Sequence, residues 1–121
     1  MSELPERDAS RLRDMLENAR LARQFMQGKT RDDLNTDILL AYAVVRALEV
    51  IGEAANHVTA ETRAHLPDMQ WSDIIGMRNR IVHGYNNVNH DIVWNVVQEQ
   101  LESLIETLLL VLRPIYPDLD S

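Results

Sequence analysis

Cysteine is missing from the chain altogether, which excludes disulfides, zinc-thiolate centres and thiol nucleophiles and suits a reducing cytoplasm. Glycine and proline are scarce, four of each in 121 residues, so little of the sequence can break helices or build tight turns. Long apolar runs are absent too. The longest, Ile38 to Val45, falls well short of the roughly 20 residues that span a bilayer. The opening residues, Met1 to Glu6, carry two acids and a proline where a secretory signal needs a basic start and an apolar stretch. These absences predict a soluble cytoplasmic protein without a membrane partner.

Positive charge is also in short supply. The net charge is −7 and the pI is near 4.9, the wrong sign for a protein that coats nucleic acid nonspecifically. Any RNA contact must therefore be local. Lys29 is the single lysine and the other eleven basic residues are arginines, whose planar forks are the better donors for bidentate phosphate recognition.

What is present is helical periodicity around an apolar content of 45%, enough for one core in a single domain over residues 1–121. A first helix is predicted from about Pro5 to Gln27, with Leu12, Leu16, Ala19, Phe25 and Met26 inward and Gly28 as its stop. Thr30 caps a turn before a second helix from about Asn35 to Val58. That helix is apolar nearly all round from Ile38 to Ile51, as in a central or interface helix. Its polar stripe, Tyr42, Arg46, Glu49, Glu53 and Asn56, repeats at spacings of three and four. A solvated stripe with an Arg46 to Glu49 ion pair is the simple reading.

A short helix follows Thr59 and stops at Pro67; a fourth main helix runs from about Trp71 to His83, with Gly84 as its cap. Asn89 is an N-cap for the last helix. Its seam is Val93, Val97, Leu101, Leu104, Leu108 and Val111, and its wet face is Asn95, Glu99, Glu102 and Glu106. After about residue 113 the tail is irregular, with Pro114 and Pro117. The expected fold is an all-α, up-down bundle of four main helices plus a short extra helix.

One stretch carries chemistry. On an unbroken helix Arg78 falls in the middle of an apolar face with Trp71, Ile74, Ile75, Ile81 and Val82, where an unpaired guanidinium would cost several kcal/mol. Arg78 must then meet a carboxylate, a ligand or a partner chain. Asn79 and His83 are four apart on the same side, and a histidine on the last turn can swing toward the arginine. Histidine moves protons near neutral pH and arginine stabilises extra charge on a phosphate, a pair suited to RNA transesterification without a metal. From spacing alone the structural reading is the simpler one: Arg78 as a partner of Glu49 or Glu53, and His83 as a helix-end residue. His83, His90 and Asp91 have no recognised metal-ligand spacing. His57 and His65 read as surface or helix-end residues, Trp71 and Trp94 as core anchors, the methionines as gap fillers and Arg80 as solvated.

The run Arg78-Asn79-Arg80-Ile81-Val82-His83-Gly84-Tyr85 resembles the Arg-x4-His-x-Tyr signature of the HEPN superfamily. Arg46 to Asn56 is similar to the second-helix segment of its HepT-like members, and Trp71 to Met77 to their lead-in to the catalytic arginine. Gln70 departs from them, since relatives often carry proline there. Together these segments cover most of Lys29 to Leu112. The resemblance implies a HEPN domain acting as the toxin of a toxin-antitoxin pair, a metal-independent endoribonuclease with no cofactor. Arg78 and His83 would be catalytic, Asn79 and Tyr85 supporting, and Arg46, Glu49 and Glu53 would stand behind them. It further implies a homodimer with a composite site, and a minimal nucleotidyltransferase antitoxin that adds AMP to Tyr85. The alternative is a noncatalytic HEPN dimer that binds a nucleotide or a partner protein; a purely structural dimerisation module is a third class.

Overall fold

A computed structural model describes residues 4–83 and 87–119. Helix α1 (Glu6–Met26) buries Ala9, Leu12, Met15, Leu16, Ala19, Ala22 and Met26, an inward stripe at helical spacing. Phe25, expected inward, is only half-buried. The helix ends where expected: Lys29 donates its amide to the Met26 carbonyl at 2.9 Å. Gly28 takes φ +76° at the third position of that turn, a conformation that a side chain would strain.

The predicted second helix is a short α2 (Asp33–Thr36) followed by α3 (Ile38–Asn56). Asp37 separates them and caps α3, accepting from the Leu40 amide at 3.1 Å. One side of α3 is buried through Leu40, Val44, Ala47, Leu48, Ile51 and Ala55 and packs on α1. Thr59 caps α4 (Ala60–His65), as predicted, by accepting from the Thr62 amide. Asp8, at the start of α1, is fully buried and reaches the same place. It accepts from the Thr59 amide at 3.1 Å, the Thr59 hydroxyl at 2.6 Å and the Thr62 hydroxyl. The beginning of α1 is thereby pinned beside the end of α3, so the two helices run antiparallel.

The predicted fourth helix is broken. It forms α5 (Trp71–Ile75) and α6 (Met77–Ile81), with Gly76 between them. Trp71 is held by its indole N–H, which donates to the Leu66 carbonyl at 3.0 Å. Beyond Ile81 the chain is extended, and Val82 pairs with Val88 in an isolated antiparallel bridge. Gly84, expected as a cap, lies outside the described residues. Asn89 then caps α7 (His90–Asn95) through the Ile92 amide at 3.1 Å. The last helix continues through a π-helical turn, Val96–Gln100, into α8 (Leu101–Leu112). The expected seam is inward except for Val111, which is half-buried while Leu112 beside it is buried, and Asn95, Glu99, Glu102 and Glu106 are exposed. The widened turn was not expected; it buries both Val96 and Val97.

Candidate functional site

Two glycines position the site. An ideal Cβ on Gly52 would lie 3.1 Å from the Ile74 carbonyl oxygen and 3.4 Å from the Met77 Cβ, so the missing side chain lets α3 approach the break between α5 and α6. Gly76 supplies that break. In α6 the buried pair Met77 and Ile81 is four apart, which turns the intervening Arg78 and Asn79 outward.

The position of Arg78 corrects an expectation. Its side chain is 59% exposed rather than sunk in an apolar face, because the unbroken helix on which that face was drawn does not exist. It still meets a carboxylate. The Arg78 Nε donates to Glu49 Oε2 at 3.1 Å, and Glu49 is the more enclosed partner at 21% exposure. Binding through Nε leaves the two terminal nitrogens of the fork outside that bond. The expected Arg46 to Glu49 pair is likewise replaced: Arg46 Nη1 reaches Glu53 Oε1, two turns along, at 3.2 Å. Glu49 is recruited by α6 instead, since Gly52 brings that helix within reach.

His83 stands outside α6, two residues past its end, and is exposed. It therefore does not share a helix face with Asn79, as an unbroken helix would require. Its amide donates to the Asn87 carbonyl at 2.7 Å, and the Asn89 amide donates to the Ile81 carbonyl at 2.8 Å. These bonds and the Val82 to Val88 bridge hold the Ile81–His83 and Asn87–Asn89 segments side by side, with His83 at the end of the pairing. Among the described residues no hydrogen bond joins the Arg78 and His83 side chains. Tyr85 lies outside the described residues. Arg80 is tied rather than solvated, its Nη1 donating to Gln100 Oε1 of the π turn at 3.3 Å.

The other titratable candidates are engaged elsewhere. Arg31 Nε donates to Asp91 Oδ1 at 2.6 Å, and His90 Nδ1 contacts Asn35 Oδ1 at 2.7 Å. With an amide oxygen as partner, that nitrogen must carry the proton. Burial first and the nearby Arg31 charge second lower the His90 pKa, against the pull of Asp91. His65 closes its own helix end, its Nδ1 lying 2.8 Å from the Glu61 carbonyl.

The sequence family that matches is described as ribonuclease HepT-like, and it covers residues 15–111. The chain belongs to the HepT-like ribonuclease family. A Thermococcus cleftensis protein named "Probable ribonuclease HepT" is 31% identical over 93 residues, covering 77% of this chain and 84% of that protein. A Methanocaldococcus jannaschii protein, named as a provisional RNase, is 30% identical over 93 residues, covering 77% and 85%. A third, also named as a provisional RNase, from Caldanaerobacter subterraneus, is 31% identical over the same length, covering 77% and 83%. No solved structure matches the chain. The HepT-like match contains Arg46, Glu49, Glu53, Arg78, Asn79 and His83, so the whole candidate site lies inside it.

Sequence reasoning missed the two hinges of this site, Gly52 and Gly76. The available signal was a glycine inside each of two helical patterns, which marks a close approach or a break.

Proposed function

We propose that this HepT-like protein is an endoribonuclease that cleaves RNA by 2′-hydroxyl transesterification without a metal. One observation carries the reading: Arg78 is anchored through Nε by Glu49 while its side chain stays exposed on α6, and His83 is exposed two residues past the end of that helix. A guanidinium held by one edge is oriented in advance, and its remaining N–H groups can take two oxygens of a scissile phosphate. The His83 imidazole accepts the 2′-hydroxyl proton as that oxygen attacks phosphorus. The bond to the 5′-oxygen breaks, the leaving oxygen takes a proton, and the products are a 2′,3′-cyclic phosphate and a 5′-hydroxyl. Asn79, exposed beside Arg78, supports phosphate placement, and the Arg46–Glu53 pair lies on the same face of α3 as Glu49.

We place the complete site in a homodimer, with the imidazole of a second copy protonating the leaving oxygen. The support is the surface of α3. Ile38, Leu39 and Tyr42 are 71%, 83% and 71% exposed, and they continue the stripe through Arg46, Glu49 and Glu53 by steps of three and four. A symmetric contact there brings two Arg78 groups into one cleft. In the same reading the protein is a toxin, and its antitoxin, a minimal nucleotidyltransferase, silences it by adding AMP to Tyr85, which places bulk and negative charge beside the arginines.

Arg78→Ala and His83→Ala test this against RNA with sequencing of the new ends. Each is expected to lower cleavage by about 10²-fold or more with helicity and dimerisation intact, and wild-type cleavage is expected to survive EDTA. A noncatalytic dimer is the second reading, favoured by the ion pair that occupies Arg78. Purified wild-type protein that leaves RNA uncut, or variants as active as wild type, would decide for it.

A further inference from the structure

A concave site lies away from Arg78 and His83, between the C-terminal half of α1 and the π turn. Its volume is about 560 Å³, within the range of roughly 300–1,000 Å³ that holds small ligands. Three cations, Arg20, Arg23 and Lys29, line it against one carboxylate, Glu102. In a chain of net charge −7 this local excess has the opposite sign to the whole, so it concentrates anions where the rest of the surface repels them. Arg20 is also held by the Leu119 carbonyl, at 3.5 Å, while Arg23 and Lys29 are exposed.

The opposite wall is aromatic and amide. Trp94 is half-buried, packing on the core with part of its surface while the rest lines the cleft, and Gln98 stands one turn on. Val97 and Gln98 belong to the π turn. Such single-turn widenings recur at functional sites, because an extra residue per turn re-aims the side chains around it. A guanidinium and an ammonium suit a phosphodiester, an indole face suits an unstacked base, and an amide suits a base edge.

We infer that this cleft binds single-stranded RNA, seating a phosphodiester on Arg23 and Lys29 and a base against Trp94. The ligand's identity rests on the ribonuclease reading above; the cation and indole geometry does not. The π turn links the cleft to the helix that carries Arg78, since Gln98 lines the cleft and Gln100 accepts from Arg80 of α6. The cleft then serves as a second foothold for a strand whose scissile bond is held at Arg78.

The test is binding of a fluorescent 2′-O-methyl oligoribonucleotide of about ten nucleotides, which cannot be cut, by anisotropy over a salt series. The double variant Arg23→Glu, Lys29→Glu is expected to bind about tenfold or more weakly, with a log-log salt slope shallower by about 1.4 for two lost phosphate contacts on a single strand. Tryptophan emission should be partly quenched by the oligomer in the wild type and not in the variant. Affinity within twofold of wild type with an unchanged slope overturns the inference. So does equal quenching by AMP at matched nucleotide concentration, which marks a mononucleotide pocket. His83→Ala separates the two claims: the cleft requires oligomer binding to persist when cleavage is lost. A loss of binding there as large as in the double variant would place the foothold at the loop instead and sink this proposal. If Arg78 and His83 variants still cut RNA, the assignment of those residues fails while the cleft result stands.

Discussion

Asp8 shows how much one buried carboxylate can organise. It is fully buried yet accepts three hydrogen bonds, from Thr59 and from Thr62, so its charged form is solvated by the protein. Burial alone would raise its pKa, but the hydroxyl and amide donors together outweigh it and hold the group below its ordinary value. A depressed carboxylate contributes stability that is present above the unfolded-state pKa, about 3.9, and is lost as pH falls through the folded value. Asp8→Ala should therefore destabilise by about 2 kcal/mol at neutral pH, read as a shift of the urea midpoint. The gap between variant and wild type should close as the medium is acidified below pH 4. A gap that stays constant down to strongly acidic pH would show that the carboxylate's charge is not what matters. Arg78 illustrates the opposite case, since its pair with Glu49 is half in solvent and contributes roughly 0–1 kcal/mol. The pair fixes the direction of the guanidinium more than it stabilises the fold.

At the scale of elements, the decisive feature is the close approach of α3 to the α5–α6 break. Gly52 leaves room for the Ile74 carbonyl and for Met77, and Met77 is buried in the resulting contact. Gly52→Val inserts an isopropyl group where the backbone of a neighbour already stands. We expect about 1–3 kcal/mol of destabilisation from overpacking and a larger fractional loss of RNA cleavage than of fold, because the strain falls between Glu49 and Arg78. Equal stability and cleavage in the variant, measured by thermal melting and turnover, would refute that contact. Much of this level was legible beforehand. The bounds of α1, the Thr59 and Asn89 caps and the seam of the last helix follow from periodicity and from side chains that compete for backbone amides. The α5–α6 break was not, since a glycine inside a helical pattern is tolerated as often as it is disruptive. Nor was the π turn, whose residues keep a normal helical hydrophobic spacing.

For the whole molecule, no helix among the described residues is long and apolar enough to cross a membrane, and Ile38, Leu39 and Tyr42 form an exposed apolar stripe of the kind that marks an interaction surface. If it joins two copies, Leu39→Asp should shift sedimentation from dimer to monomer and lower cleavage by tenfold or more, because a composite site is halved. A Leu39→Asp protein that sediments as wild type would remove this stripe as the interface. If the proposed sites bind RNA, an acidic chain in a ribonuclease family is accounted for by local basic patches on an otherwise anionic surface.

Composition and periodicity by themselves determined the helical class, the bounds of α1 and the Asn89 cap, because those depend on interactions within a turn or two of chain, whereas the residues of the candidate site rest on the resemblance of Arg46 to Asn56 and of Arg78 to Tyr85 to HepT-like segments. Only the tertiary structure decided that Arg78 is exposed, that Glu49 pairs with Arg78 while Arg46 pairs with Glu53, and that His83 leaves the helix. Those outcomes hang on how closely two helices approach at Gly52. That distance is set by packing between segments some 20 to 30 residues apart, and no local pattern encodes it.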